Sequence, residues 1–247
     1  MTMGPDPMMS IVWMSSRRGM LSPNLPNYSG ARAHCRALSI LRPLARALLR
    51  CVHRARVDTG RLPTDGAVIV IANHVSGIDA LLLQGWIDRP IRFMMERAQM
   101  HWSVGWLWRL IRVIPVDEGA GSAALRESLR ELAQGGTVGI FPEGMIERPP
   151  GVLLPFRPGL AALARKTRAT VAVYVIDGIP PCGNAFVSLV RPSRAQMRLV
   201  MVTLPPLTPG DDEAWTQSLR ESMSEALSER MGSSDDAGAR ADTLPSG

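Results

Sequence analysis

Apolar and polar positions alternate along this chain in two different rhythms. Short β-branched runs bounded by turn residues recur between stretches with helical spacing. Ala67 to Ala72 is the clearest run, entered through Pro63, Asp65 and Gly66, and it reads as a buried strand. Ile91 to Met95, Val113 to Val116, Thr137 to Phe141 and Thr170 to Ile176 read the same way. Ala185 to Val190 and Met197 to Leu204 read as two late strands that form a hairpin-like pair. Between them, Ile78 to Ile87, His101 to Ile111, Ser122 to Ala133 and Pro158 to Lys166 carry helical patterns, with Gly135-Gly136 as a stop signal. Asp211 to Met231 is a charged terminal helix with acidic residues at its start. Strands alternating with helices predict an α/β fold, a single domain with a mixed, largely parallel sheet flanked by helices.

Ahead of that domain lies an amphipathic segment, residues 31–56. Arg42, Arg46, Arg50 and Arg54 recur every four positions and fall on one stripe, with Leu38, Leu41, Leu44, Leu48, Leu49 and Val52 opposite. Pro43 either kinks this helix or begins a new one. Such a helix suits an anionic bilayer interface, and equally a helix packed on the domain with a solvated arginine face. His101, Trp102, Trp106 and Trp108 form a further candidate for lipid contact, or for core packing. Residues 1–30, rich in Pro, Ser and Gly and without a continuous apolar stretch, read as a disordered lead, and residues 232–247 as a disordered tail. The folded domain is expected over 57–231.

Composition narrows the function. The 247 residues suffice for one sizeable domain. The formal net charge is +6, carried almost wholly by arginine, since Lys166 is the only lysine. A basic balance suits nucleic acid, an anionic membrane or an anionic substrate. No nucleic-acid-binding motif is present, which leaves the last two. Cys35, Cys51 and Cys182 are scattered and read as reduced thiols of a cytosolic protein, with no metal-site spacing. No stretch reaches the roughly 18–20 apolar residues of a membrane span.

Two constellations carry candidate chemistry. In Asn73-His74-Val75-Ser76-Gly77-Ile78-Asp79 a histidine follows a buried strand and a carboxylate stands in the first turn of the helix after it. Loops at the carboxyl ends of strands are where sites form in such sheets. A carboxylate that accepts one imidazole N–H orients the ring and leaves the other nitrogen to take a hydroxyl proton. The same spacing fits a capping box with Ser76 as N-cap, in which His74 is a turn residue. The second constellation, Phe141-Pro142-Glu143-Gly144, follows another strand. There Pro142 ends the strand and Gly144 permits a sharp turn, so that Glu143 is presented either to an acceptor hydroxyl or to solvent.

Together these motifs, about seventy residues apart, resemble the glycerolipid acyltransferase family, typified by bacterial 1-acylglycerol-3-phosphate acyltransferases. The resemblance extends from about Val57 to Leu204 and includes Val113-Ile-Pro-Val-Asp117 and Gly151-Val-Leu-Leu-Pro-Phe-Arg-Pro-Gly159. It implies an O-acyltransferase with His74 as general base and Asp79 as its partner, and an acceptor-binding motif at Phe141, Pro142, Glu143 and Gly144. Acyl-CoA or acyl carrier protein is the implied donor, a lysophospholipid or related lysolipid the acceptor. No cofactor or metal is implied, and the expected location is peripheral, on the cytoplasmic face of a membrane. The oligomeric state stays open.

The chain departs from the family where a phosphate is usually held. Glu118 stands where an arginine usually follows the aspartate, and Met145 and Ile146 stand where Thr or Ser and then Arg usually follow F-P-E-G. An apolar pair lacks the bidentate donors an arginine offers a phosphate. Either Arg148, Arg157 or Arg112 supplies that contact, or the acceptor carries no phosphomonoester, as in a lyso-aminolipid. A lipid-binding homologue that has lost catalysis is the remaining alternative.

Overall fold

The structure is a computed structural model and describes residues 31–100, 105–117, 121–146, 152–200, 204 and 207–239. Seven strands form one sheet: β1 (Arg56–Asp58), β2 (Val68–Ala72), β3 (Ile91–Glu96), β4 (Ile114–Val116), β5 (Thr137–Ile140), β6 (Thr170–Asp177) and β7 (Gln196–Val200). Their spatial order is β1-β7-β6-β2-β5-β3-β4. Every neighbouring pair is parallel except β6 with β7. The sheet is therefore mixed and largely parallel, with β2 at its centre. All five residues of β2 are buried, as expected of a strand covered on both faces.

Two helical layers cover the sheet. On one face α4 (Gly121–Ala133), α5 (Leu160–Thr167) and α7 (Asp212–Ala239) pack over Ile69, Ile71, Val138, Val173 and Val175. On the other, α1 (Ala31–His53), α2 (Asp79–Trp86) and α6 (Ala185–Val190) cover Val68, Val70, Ala72, Ile91, Phe93 and Tyr174. The short α3 (Gly105–Leu110) precedes edge strand β4. Among the described residues no helix is long and apolar enough to cross a membrane.

Several expectations need correction. Ala185–Val190 is a helix, not a strand. Its β-branched composition is overridden by Asn184, whose side chain accepts from the backbone N–H groups of Phe186 and Val187 and so caps the helix. The antiparallel partner of β7 is consequently β6. The helix α1 runs without a break through Pro43. The terminal helix continues past Met231 to Ala239, and 240–247 lie outside the described residues, as do 1–30. Strand β1, whose three residues carry no run of apolar positions, escaped the sequence pattern.

The helix over 31–56 is also not separate from the domain. Leu49 is fully buried in the core beside α2. The arginine stripe lies against the C-terminal end of α2. Arg42 donates to the carbonyls of Gln84 and Asp88, and Arg46 to the carbonyl of Gly85 and the carboxylate of Asp88. Arg50 sits over the Trp86 ring, 5.7 Å from its centroid. These cations satisfy the orphan carbonyls at the negative end of α2. His101, Trp102 and the side chain of Trp106 lie outside what is described, whereas Trp108 is half-buried.

Candidate active site

Strand β2 ends in a loop whose polar groups are nearly all committed. The side chain of Asn73, fully buried, donates to Ile176 O and accepts from Ile176 N, both at 2.8 Å. A side-chain amide thus continues the β2–β6 pairing one step past the strand, and fixes where His74 emerges. Asp79 opens α2 and is fully buried. Its Oδ2 accepts from the backbone N–H of Val75 at 2.7 Å, from that of Ser76 at 2.8 Å and from His74 Nδ1 at 2.9 Å. A carboxylate only accepts, so Nδ1 carries a proton, and in the neutral ring Nε2 presents the lone pair. The helix N-terminus adds a favourable field at the carboxylate. Nε2 makes no hydrogen bond among the described residues, and the His74 side chain is 24% exposed. Ser76 is not the N-cap of the capping-box alternative. Its hydroxyl donates to Ser188 Oγ, and Asp79 returns its carboxylate to the loop amides.

The second motif is built against the first. Phe141 O accepts from Gly144 N at 3.1 Å, closing a tight turn that turns Glu143 inward. Glu143 is buried, and both its oxygens are taken. Oε1 accepts from the backbone N–H of His74 at 3.0 Å, and Oε2 from that of Leu154 at 2.9 Å. Burial raises its pKa above the usual carboxylate range, partly opposed by the two backbone hydrogen bonds. Glu143 therefore ties the His74 loop to the segment after the turn, where sequence reasoning placed it on the acceptor. Gly144 adopts φ +69°, and an added Cβ there would lie 2.1 Å from Arg157 Nε. The Arg157 side chain thus lies along the turn, while its backbone N–H donates to Pro142 O at 2.8 Å.

Phe141 touches the histidine directly. The two rings stack with centroids 4.3 Å apart and planes inclined by 16°. Phe93 extends the stack, 5.9 Å from Phe141. It fits because residue 139 has no side chain, since a Cβ on Gly139 would come within 2.5 Å of the Phe93 ring. Phe93 and Gly139 were missed at the sequence level. Their only trace there is a glycine at the centre of a strand, a position that marks close approach of another group.

Other candidates fall elsewhere. Arg148 lies outside the described residues, as does Glu118. Arg112 lines a cleft of about 490 Å³ with Arg92, Arg97, Trp108 and Arg109, along β3 and the edge strand β4. His74, Asp79 and Glu143 do not line it. Asp117 is paired with Arg97, which holds its carboxyl below the usual range. Met145 is 56% exposed beside the Glu143 turn. The described residues contain no group of His, Cys, Asp and Glu able to hold a metal ion.

Comparison with known proteins gives three findings. The family model described as Acyltransferase matches residues 38–177. The protein named "Taffazin" from Dictyostelium discoideum is 32% identical over 111 residues, 39% of this chain. The chain spans only 38% of that relative's length. The crystal structure of the 1-acyl-sn-glycerophosphate (LPA) acyltransferase PlsC from Thermotoga maritima is similar in fold, with a TM-score of 0.64 and 22% identity, covering 81% of this chain and 82% of that one.

Proposed function

The chain belongs to the acyltransferase family, and from that premise we propose that it moves a fatty acyl group from an acyl-CoA or acyl-carrier-protein thioester to a hydroxyl of a lysophospholipid or related lysolipid. The observation that carries this reading is the state of His74: Nδ1 is held by a buried carboxylate, Nε2 makes no hydrogen bond among the described residues, and the side chain is partly exposed. In the reaction the acceptor hydroxyl gives its proton to Nε2 as its oxygen attacks the thioester carbonyl carbon. Asp79 stays ionised and stabilises the imidazolium. The tetrahedral intermediate collapses by breaking the C–S bond, and the imidazolium returns the proton to the leaving thiolate. An ester and a free thiol result, with no covalent acyl-enzyme.

The supporting residues act by position. Glu143 holds the backbone of His74, and Phe141 lies flat on its ring. The loop amides are poor candidates for holding the oxyanion. Those of His74, Val75, Ser76, Gly77 and Asp79 already donate to Glu143, Asp79, Asp79, Cys182 and Ser76.

One observation favours a second acceptor class. The exposed Met145 beside the turn offers no hydrogen-bond donor to a phosphate. A lyso-aminolipid or other acceptor without a phosphomonoester fits Met145, whereas lysophosphatidate would have to draw on Arg157, whose exposed side chain lies along the same turn. The test is an acyl-transfer screen with both donor types over lysophosphatidate, zwitterionic lysophospholipids and lyso-aminolipids, run beside His74→Gln. Turnover that disappears in His74→Gln supports the enzymatic reading, and the best acceptor chooses between the classes. Lysolipid binding without turnover for any donor would assign the chain a lipid-binding role. The place of action in this reading is peripheral, at the cytoplasmic face of a membrane.

A further inference from the structure

The short helix α6 follows β6, the strand beside β2, and so lies at the same carboxyl edge of the sheet as the His74 loop. It is joined to that loop directly. Ser188 Oγ accepts from Ser76 Oγ at 2.9 Å, and Cys182 O accepts from Gly77 N at 3.1 Å. Ser188 faces inward and is buried. The opposite face, Phe186, Val187 and Val190, is 59%, 48% and 70% exposed. Three large apolar side chains at helical spacing form one outward stripe with no described partner.

The flank of this stripe is basic. Arg191 and Arg194 follow it and are exposed. The end of α1 is fastened alongside, through His53 to Leu189 O and Ser193 Oγ, and brings the exposed Arg54. No salt bridge joins Arg54, Arg191 or Arg194 to a carboxylate among the described residues. The segments 31–57 and 178–200 contain no Asp or Glu. An apolar stripe rimmed by uncompensated cations matches an anionic bilayer, whose acyl boundary takes the stripe while its head groups take the arginines. A second copy fits poorly, because a two-fold contact across this face would press the arginines of one copy against those of the other.

We infer that α6 is the part of the protein that enters the membrane interface, with Phe186, Val187 and Val190 inserted and Arg54, Arg191 and Arg194 on anionic head groups. The inference rests on the lipid-acylating reading only for its purpose: insertion beside the His74 loop lets a lysolipid reach the site from the bilayer. It reassigns the docking role from the stripe of Arg42 and Arg46, which is spent on the end of α2.

The test is sedimentation of the full chain with phosphatidylcholine vesicles, with and without phosphatidylglycerol, over a range of salt. Wild type is expected to bind the anionic vesicles and to weaken with salt. The double variant Phe186→Ser/Val190→Ser should bind about 100-fold more weakly, since each large apolar side chain left in water forfeits at least about tenfold. Arg191→Glu/Arg194→Glu should lose roughly 20-fold or more at low salt and little at high salt. An environment-sensitive dye on Val190→Cys, in a chain whose other cysteines are serine, should shift to the blue with anionic vesicles. The same dye on Ala133→Cys, an exposed site on α4, should not. Wild-type binding by a folded Phe186→Ser/Val190→Ser variant, or an unshifted dye at 190, overturns the inference. So does a wild-type dimer that this variant dissociates, which would assign the face to self-association. Transfer to a short-chain, monomeric lysolipid is expected to be unchanged in these variants. Absent acyl transfer with intact α6-dependent binding would instead defeat only the proposed reaction.

Discussion

The His74 loop and the cleft along β3 and β4 both concentrate charge beside the sheet, yet they use it in opposite ways. In the cleft, each of two arginines is answered by carboxylates. Arg92 lies nearly buried between Glu127 and Glu131, 2.9 Å from each, and donates to Arg112 O. Arg97 pairs with Asp117. Around His74 the buried carboxylates are answered mostly by backbone N–H groups, which cannot move or titrate. That arrangement holds one imidazole with its proton on Nδ1 and a bare Nε2. A charge cluster that satisfies itself builds structure. Around His74 the charge instead orients an imidazole, and it leaves Asp79 Oδ1 buried without a hydrogen bond among the described residues.

The largest effect expected from this contrast is on rate. Asp79→Asn should lower acyl transfer by on the order of 10³-fold or more, because an amide cannot hold the imidazole in the required tautomer or stabilise its charge. Near-wild-type turnover would place the two regions in the same class. Arg92→Met makes the converse case. It strips a buried cation from Glu127 and Glu131 and should cost about 3–5 kcal/mol of stability in denaturant unfolding, while turnover per folded molecule stays close to wild type. A selective loss of turnover in a stable Arg92→Met protein would bring the cleft into the reaction.

Smaller changes sharpen the picture at the His74 loop. Glu143→Gln keeps the shape but leaves one of two backbone donors facing an NH₂ group, and should cost about 1–3 kcal/mol together with a fall in kcat greater than any rise in KM. Gly139→Ala drives a methyl into Phe93 and should cost about 1–3 kcal/mol, with a loss of rate transmitted through Phe141. The smallest expectation concerns pH. Glu143 titrates above its unfolded value near 4.5, so the folded state holds its proton more tightly. Its contribution to stability is full below the unfolded value and is lost as pH rises through the folded one. Wild type should therefore lose ground to Glu143→Gln as pH rises across that window, in parallel unfolding curves. A gap that is flat or widens in favour of wild type would mean that the backbone hydrogen bonds outweigh burial at Glu143.

Much of this was readable in the order of residues. Apolar runs and turn residues located β2, β3, β5 and β6, since a strand covered on both faces must be apolar throughout. The short interval between His74 and Asp79 placed an imidazole in the loop and a carboxylate in the first turn of the helix that follows. What distance along the chain does not encode is which group answers which. Glu143 reads as an exposed turn carboxylate until the fold brings the N–H groups of His74 and Leu154 onto its two oxygens. Gly139 reads as a weak spot in a strand until Phe93 arrives over it from β3. The arginine stripe reads as a free surface until α2 presents its last carbonyls to it. Ala185–Val190 reads as a strand because local propensity favours one, and becomes a helix through its Asn184 cap and its packing on the His74 loop. The chain by itself determined the elements, their α/β order and the pair of residues suited to proton transfer, because these depend on local pattern and short spacing. Only the tertiary structure decided the partners of the buried charges and the face left bare, because both depend on contacts between residues far apart in sequence.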